Sequence, residues 1–173
     1  MSRKRVQEKK KFSGKKKFVK GRAVKQKVVK PKKREIREWE KQGLIREGTF
    51  IGNQKGFGFV EVEGEEDDIF IPANATGTAM HQDHVRVLLG KEPEKGKRQE
   101  GTVIRILERA NQEVVGTFQR ERDYGFILCD NQKFSKDVYI SAKNSKGVRD
   151  GDKVVAEIID YGDASHKPEG RIT

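Results

Sequence analysis

Along residues 47–160, apolar and polar positions alternate with a period of two. They form short runs rich in Val, Ile, Phe and Tyr that end at Gly, Asn or Asp. This is the pattern of strands that turn one face to a core and the other to solvent, joined by tight turns. It predicts strands near 47–52, 57–63, 67–72, 83–89 and 100–108, with a linker rich in Lys, Glu and Pro over 90–99, and a second set near 113–119, 124–130, 136–140 and 152–160. Ahead of them, Ile36 and Trp39 lie three apart among alternating charges until Gly43. That spacing predicts one short helix over 34–43, with Ile36 and Trp39 packed near Leu44.

The second set of strands is a copy of the first. Gly48-Thr49-Phe50 recurs as Gly116-Thr117-Phe118, and Phe57-Gly58-Phe59-Val60 recurs as Tyr124-Gly125-Phe126-Ile127. Asp68-Ile69-Phe70-Ile71 returns as Asp137-Val138-Tyr139-Ile140, and Glu100-Gly101-Thr102-Val103 as Glu169-Gly170-Arg171-Ile172, at offsets of 67 to 69 throughout. Two related all-β domains, 44–110 and 111–173, follow from this duplication. Five short strands in each predict barrels, which leave no exposed edges. The fifth strand of the second copy would start at Gly170, close to Thr173. The second barrel is therefore expected to lack most of that strand and to keep an open seam. That reads as a truncated chain with a missing C-terminal domain, or as a place for a strand-completing partner.

Charge adds a third region. The chain has 173 residues, 38 Lys or Arg against 27 Asp or Glu, and a net charge of +11; residues 1–33 hold 16 basic residues and the single acid Glu8. The rest of the chain is slightly acidic. Gly14, Gly21 and Pro31 interrupt any helical stripe, so 1–33 is expected to be a disordered cationic tail. Such a run binds phosphates without selectivity; a solubilising tail, or one resting on an anionic surface, is the other reading. Cys129 is the only cysteine, which excludes an internal disulfide and cysteine metal clusters. No apolar stretch approaches the roughly 20 residues of a membrane span. The expectation is a cytoplasmic protein with no membrane partner.

On the second strand Phe57 and Phe59 share one face, while Gly58, Val60 and Val62 share the other. Phe70 stands between Ile69 and Ile71, which suit an interior, so it joins Phe57 and Phe59 outside. Phe50 is expected to extend the row, with Gly56 and Gly58 leaving the ring faces uncovered. Exposed rings in a row are unfavourable unless used, and every nucleobase offers a face to stack on them. The surface therefore reads as a platform for single-stranded nucleic acid, with Lys55 placed for the phosphate backbone. The second copy has Phe118, Tyr124, Phe126 and Tyr139 at matching places. Asp123 is read as replacing the lysine, and Arg120 and Arg122 offer cations earlier in the loop. That second face is read either as a binding surface or as packing between barrels. His81 is a candidate for hydrogen bonding or stacking at the platform edge, or an ordinary loop residue. Cys129 reads as a small core residue, and the acidic run 65–68 as a solvated turn, so no metal site and no catalytic residue are expected.

The run Lys55-Gly56-Phe57-Gly58-Phe59-Val60, followed by Asp68-Ile69-Phe70-Ile71, resembles the paired RNA-binding motifs of bacterial cold-shock domains. With Pro72, Met80-His81, residues 101–109 and Pro168-Glu169-Gly170-Arg171-Ile172, the stretch 48–173 is similar to the amino-terminal region of the ribonuclease R family, in the ribonuclease II superfamily. The resemblance implies tandem OB-type barrels, stacking roles for Phe50, Phe57, Phe59 and Phe70, and single-stranded RNA as the partner. In that family the barrels feed RNA to a separate Mg2+-dependent domain that degrades it from the 3′ end. The aspartates of that domain follow the second cold-shock domain, so the resemblance implies neither a catalytic centre nor a cofactor in this chain. The alternative is a free-standing RNA chaperone or ribosome-associated protein that melts RNA without cutting it.

Overall fold

The computed structural model describes residues 30–163 and 165–173; nearly all of the basic tail lies outside the described residues. One helix, α1 (Lys33–Lys41), precedes ten strands: β1 (Ile45–Gly52), β2 (Gly58–Glu61), β3 (Ile69–Ile71), β4 (His84–Leu89), β5 (Gly101–Glu108), β6 (Glu113–Arg120), β7 (Gly125–Cys129), β8 (Val138–Ile140), β9 (Lys153–Asp160) and β10 (Glu169–Ile172). The protein is all-β apart from α1 and two single turns of 3-10 helix. No helix among the described residues is long and apolar enough to cross a membrane.

The first module is a curled sheet in the order β3-β2-β1-β4-β5, and the second is a closed barrel in the order β10-β8-β7-β6-β9. Each has its own core. Phe50, Val60, Ile69, Ile71, Val85 and Val87 fill the first. The second is built on Phe118, Ile127, Val138, Ile140, Ala156, Ile158 and Ile172, together with Val114 and Val154.

The open seam expected in the second module is not there. β10 is short, four residues against the eight of β5, but it pairs antiparallel with β9 and parallel with β8 through Glu169↔Tyr139 and Gly170↔Ile140. β8 itself offers only three residues, so a four-residue strand suffices to seal it, and Ile172 completes the core. The looser seam belongs to the first module. There the segment just ahead of long β5 pairs with β3 through the isolated bridge Phe70↔Glu100, beside the bond from the Phe70 N–H to the Gln99 carbonyl (2.8 Å). The Tyr139 N–H donates in the same way to the Pro168 carbonyl (2.8 Å).

Two glycines explain how such small barrels hold a large ring each. A Cβ on Gly58 would lie 2.4 Å from the Phe50 ring, and one on Gly125 would lie 2.4 Å from the Phe118 ring. Each ring fills the space its glycine leaves.

The outer faces differ. Where β1 and β4 set Glu47 opposite Arg86, the pair forms an ion bridge of 2.5 Å, and Glu40 of α1 reaches the same arginine at 3.6 Å. The matching position on β6 and β9 sets Val115 opposite Val155, both exposed.

Candidate nucleic-acid interface

Antiparallel pairing puts directly opposed residues on the same face. The register Phe59↔Phe70 therefore unites two rings on the outside of the first sheet, and Phe57, one residue before β2, joins them. The three ring centroids lie 5.6 to 5.9 Å apart, with Phe57 and Phe59 edge to face at 88°. Phe126↔Tyr139 does the same in the second module, with Tyr124 as the third ring at 5.6 to 5.8 Å and the same 88° between Tyr124 and Phe126. All six rings are half-buried, packed against one another edge to face or tilted. Outside the sheets, stacking surfaces of this kind accept bases of any identity.

Phe50 and Phe118 do not belong to either row. They are opposed to Val60 and Ile127 and are buried in the two cores, 3% and 0% exposed. Phe50 differs from Phe59's partner Ile51 by one residue, and one residue along a strand reverses the face. Gly58 likewise points inward, so its missing side chain houses Phe50 instead of uncovering the outer rings.

Lys55 is exposed in the loop before Phe57, where its N–H donates to Asn53 Oδ1 (2.9 Å) and Gly56 turns the chain at φ +97°. Counting back from the first ring of the second triad, Arg122 stands two residues before Tyr124, as Lys55 does before Phe57. Asp123 thus takes the place of Gly56, and the cation is retained. Arg120 is turned inward: its guanidinium donates to the Val148 carbonyl and lies 5.2 Å from the Phe118 ring centre. It is not a free cation for the platform.

Two cations that the motifs do not mark lie on the rings themselves. The Arg98 guanidinium is 5.1 Å from the centre of Phe59, and the Lys167 ammonium is 4.7 Å from that of Phe126. They are 69 residues apart, so the repeat offset identifies them as equivalents. Lys167 also pairs with Asp137 at 3.8 Å, whereas Arg98 enters no ion pair among the described residues.

The modules are joined by a polar clamp. Arg109 donates to Thr78 and to Asp83 Oδ2 (both 2.7 Å through Nη1) and stacks over the Tyr161 ring at 3.7 Å. Tyr161 donates to the Asn111 carbonyl (2.7 Å), and Asn111 donates to the His81 carbonyl (2.6 Å). Asp83, fully buried, also accepts from the Met80 and Ala110 N–H groups. Burial raises the Tyr161 hydroxyl pKa, against the pull of Arg109. His81 belongs to this junction: its Nδ1 accepts the Gly52 N–H at 3.2 Å, the part played in the second module by Asp150, which accepts the Arg120 N–H at 2.9 Å. Partial burial and nearby Lys133 lower the His81 pKa.

The acidic run 65–68 forms no cluster of three potential metal ligands among the described residues. Glu65 is bonded to Arg46 at 2.6 Å, and Glu66 and Asp67 face solvent. Burial pushes the Cys129 thiol up to about 11, aided by Asp137 and Asp130, so it stays protonated and packs against the second core.

Comparison with known proteins agrees with the duplication. Residues 48–106 match the ribonuclease B OB domain, and residues 126–173 match the cold shock domain. Over 77% of its length the chain is 34% identical to ribonuclease R of Vibrio parahaemolyticus and 32% identical to that of Escherichia coli. It spans about 16% of the length of either relative. Among solved structures, the pseudonuclease Ssd1 of yeast superposes with a TM-score of 0.65 at 17% identity, covering 83% of this chain and 24% of that one. Mycoplasma genitalium RNase R in complex with ribose-methylated single-stranded RNA superposes at 0.63 with 18% identity, covering 73% and 21%. At these identities the likeness to the two structures is one of fold.

Proposed function

From a chain that belongs with the amino-terminal OB and cold-shock region of ribonuclease R, we propose a module that grips single-stranded RNA by stacking bases on two aromatic platforms. The observation that carries this reading is the duplicated triad: six half-buried rings with matching spacing, each set with a cation resting on one ring. An ordinary barrel surface has no reason to repeat that arrangement, because isolated exposed rings gain nothing from water. A single strand can splay its bases onto the rings, whereas a duplex keeps them stacked inside. The basic residues of 1–33 add attraction to phosphates; if about six of them engage, the log–log salt slope is about −4.

In this reading the chain holds RNA and does not cut it. The stretches that match known families, 48–106 and 126–173, match an OB domain and a cold shock domain.

The deciding experiment is a titration of the pure chain with single-stranded and double-stranded RNA at two salt concentrations. Tighter binding of the single strand at both, with the difference retained at high salt, is the expected result. Equal affinity for the two forms would overturn the stacking reading and leave a non-selective polycation. Incubation of single-stranded RNA with the chain and Mg2+ is expected to leave its length unchanged. Hydrolysis that survives removal of contaminating nucleases would overturn the assignment to grip alone. Melting of an RNA hairpin without cleavage would favour an RNA chaperone.

A further inference from the structure

One edge of β5 has no neighbouring strand. On its other side β5 pairs with β4 along its whole length, from Gly101 to Glu108. It stands last in the order of the first sheet, and the bridge to β3 lies at Glu100, ahead of its first residue. Alternate backbone groups of a strand point to opposite edges, so half of those on residues 103–107 point away from β4. Among the described residues these groups meet no backbone partner. A strand edge in this condition is a template for another extended chain.

The edge opens on a groove. A cavity of about 520 Å³ lies between residues 103–106 of β5, the turn at Gly77 and Thr78, and the start of α1. Successive side chains of a strand alternate faces. Four consecutive residues of β5 therefore line one groove because it meets the strand along its edge. Ile36, Val103, Ile104 and Ile106 give it an apolar, half-buried lining. Its rim is cationic: Lys30, Lys33 and Arg105 are exposed and enter no ion pair among the described residues. Arg105 also stands directly opposite Arg86, whose guanidinium is shared by Glu47 and Glu40. Like charges opposed on a sheet repel. Arg86 has its carboxylates, and Arg105 has none among the described residues.

We propose that this edge of β5 binds an extended acidic segment of a protein partner, which adds to the first sheet as a sixth strand. The partner's backbone supplies the ladder bonds that residues 103–107 lack. Its apolar side chains rest on the isoleucines of the groove, and its carboxylates answer Lys30, Lys33 and Arg105. An RNA strand answers the cations alone, because it has no row of N–H and C=O groups at strand spacing. Residues 1–29 of this chain are strongly basic and would bring like charge to the rim.

The test uses the full chain and dye-labelled peptides of about eight residues, the length of a long strand. One alternates Val with Glu, one alternates Val with Lys, and the third is the Val–Glu peptide N-methylated throughout. The Val–Glu peptide should bind saturably, on the order of tenfold more tightly than either of the others. It should also slow hydrogen exchange at amides within residues 103–107. Arg105→Glu should weaken its binding on the order of tenfold and turn the preference toward the Val–Lys peptide. A carboxylate at 105 faces Arg86, so the pairing of β4 with β5 is kept. Lys33→Glu, at an exposed position, should act in the same direction. No saturable binding of the Val–Glu peptide to the parent chain would overturn the proposal. Equal binding of the N-methylated peptide would do so too, since the contact would then be one of charge alone. Parent-like binding by both variants would place the peptide on the basic residues of 1–29 and overturn it as well. A loss of single-stranded RNA affinity in Arg105→Glu as large as the loss for the peptide would assign the groove to RNA instead.

Discussion

The two modules carry the same interior and the same ring geometry on different surfaces. Phe50 in Gly58's space and Phe118 in Gly125's are interchangeable descriptions, and the triads superpose in spacing and angle. Yet Glu47 and Arg86 form an ion bridge where Val115 faces Val155, and Arg98 enters no ion pair among the described residues where Lys167 shares its charge with Asp137. Packing to interior density tolerates little change in volume. Outward positions are held by no such constraint, so they record what each module does. On that basis the first platform, whose Arg98 shares its charge with no carboxylate among the described residues, should be the stronger of the two.

The largest effect expected separates core rings from platform rings. Phe50→Ala and Phe118→Ala should each destabilise their module by about 3–5 kcal/mol, whereas Phe57→Ala should change stability far less. Urea unfolding of the three variants measures this, and a similar loss for Phe57 would place that ring in the core. Next come the platforms. Alanine at Phe57, Phe59 or Phe70 should weaken RNA binding by about 1–3 kcal/mol per ring, and more than alanine at Tyr124, Phe126 or Tyr139. Titration of the two triple variants side by side would remove the asymmetry if their losses were equal.

Arg109→Ala should cost about 2 kcal/mol, because Asp83 stays buried without its guanidinium while keeping two backbone donors. Loss of coupling between the modules should appear as two separated transitions in a calorimetric melt. The smallest effect concerns His81. Its pKa is lowered in the folded chain from the ordinary 6.5, so below that pH the unfolded chain binds more protons than the folded one. Stability should therefore fall as pH drops through 6.5 toward the lower folded value, and be fully regained above it. The midpoint of thermal unfolding across this window should be flatter in His81→Asn. The Asp150 bond that replaces His81's in the second module has no imidazole to protonate.

Much of this was legible in the residue order. The period of two located the strands; Arg98 and Lys167, 69 residues apart, are not singled out by it, because only their position over the rings gives the pair a meaning. Phe57, Phe59 and Phe70 could be assigned to one face because each is flanked by residues that suit an interior. Phe50 could not, since its face depends on the register with Val60, a contact made across a turn. The closure by β10 was hidden for a related reason: a strand's length says little until the length of its neighbour, here three residues, is known. The Arg109 clamp has no local signal, as it arises only where the two modules meet.

The single bridge between Phe70 and Glu100 carries one more implication. Phe70 is both a ring of the platform and the residue that stitches the curled sheet shut. A strand tugged along that surface loads the one stitch directly, so under tension the first module should rip at β3 before the doubly stitched β8 yields.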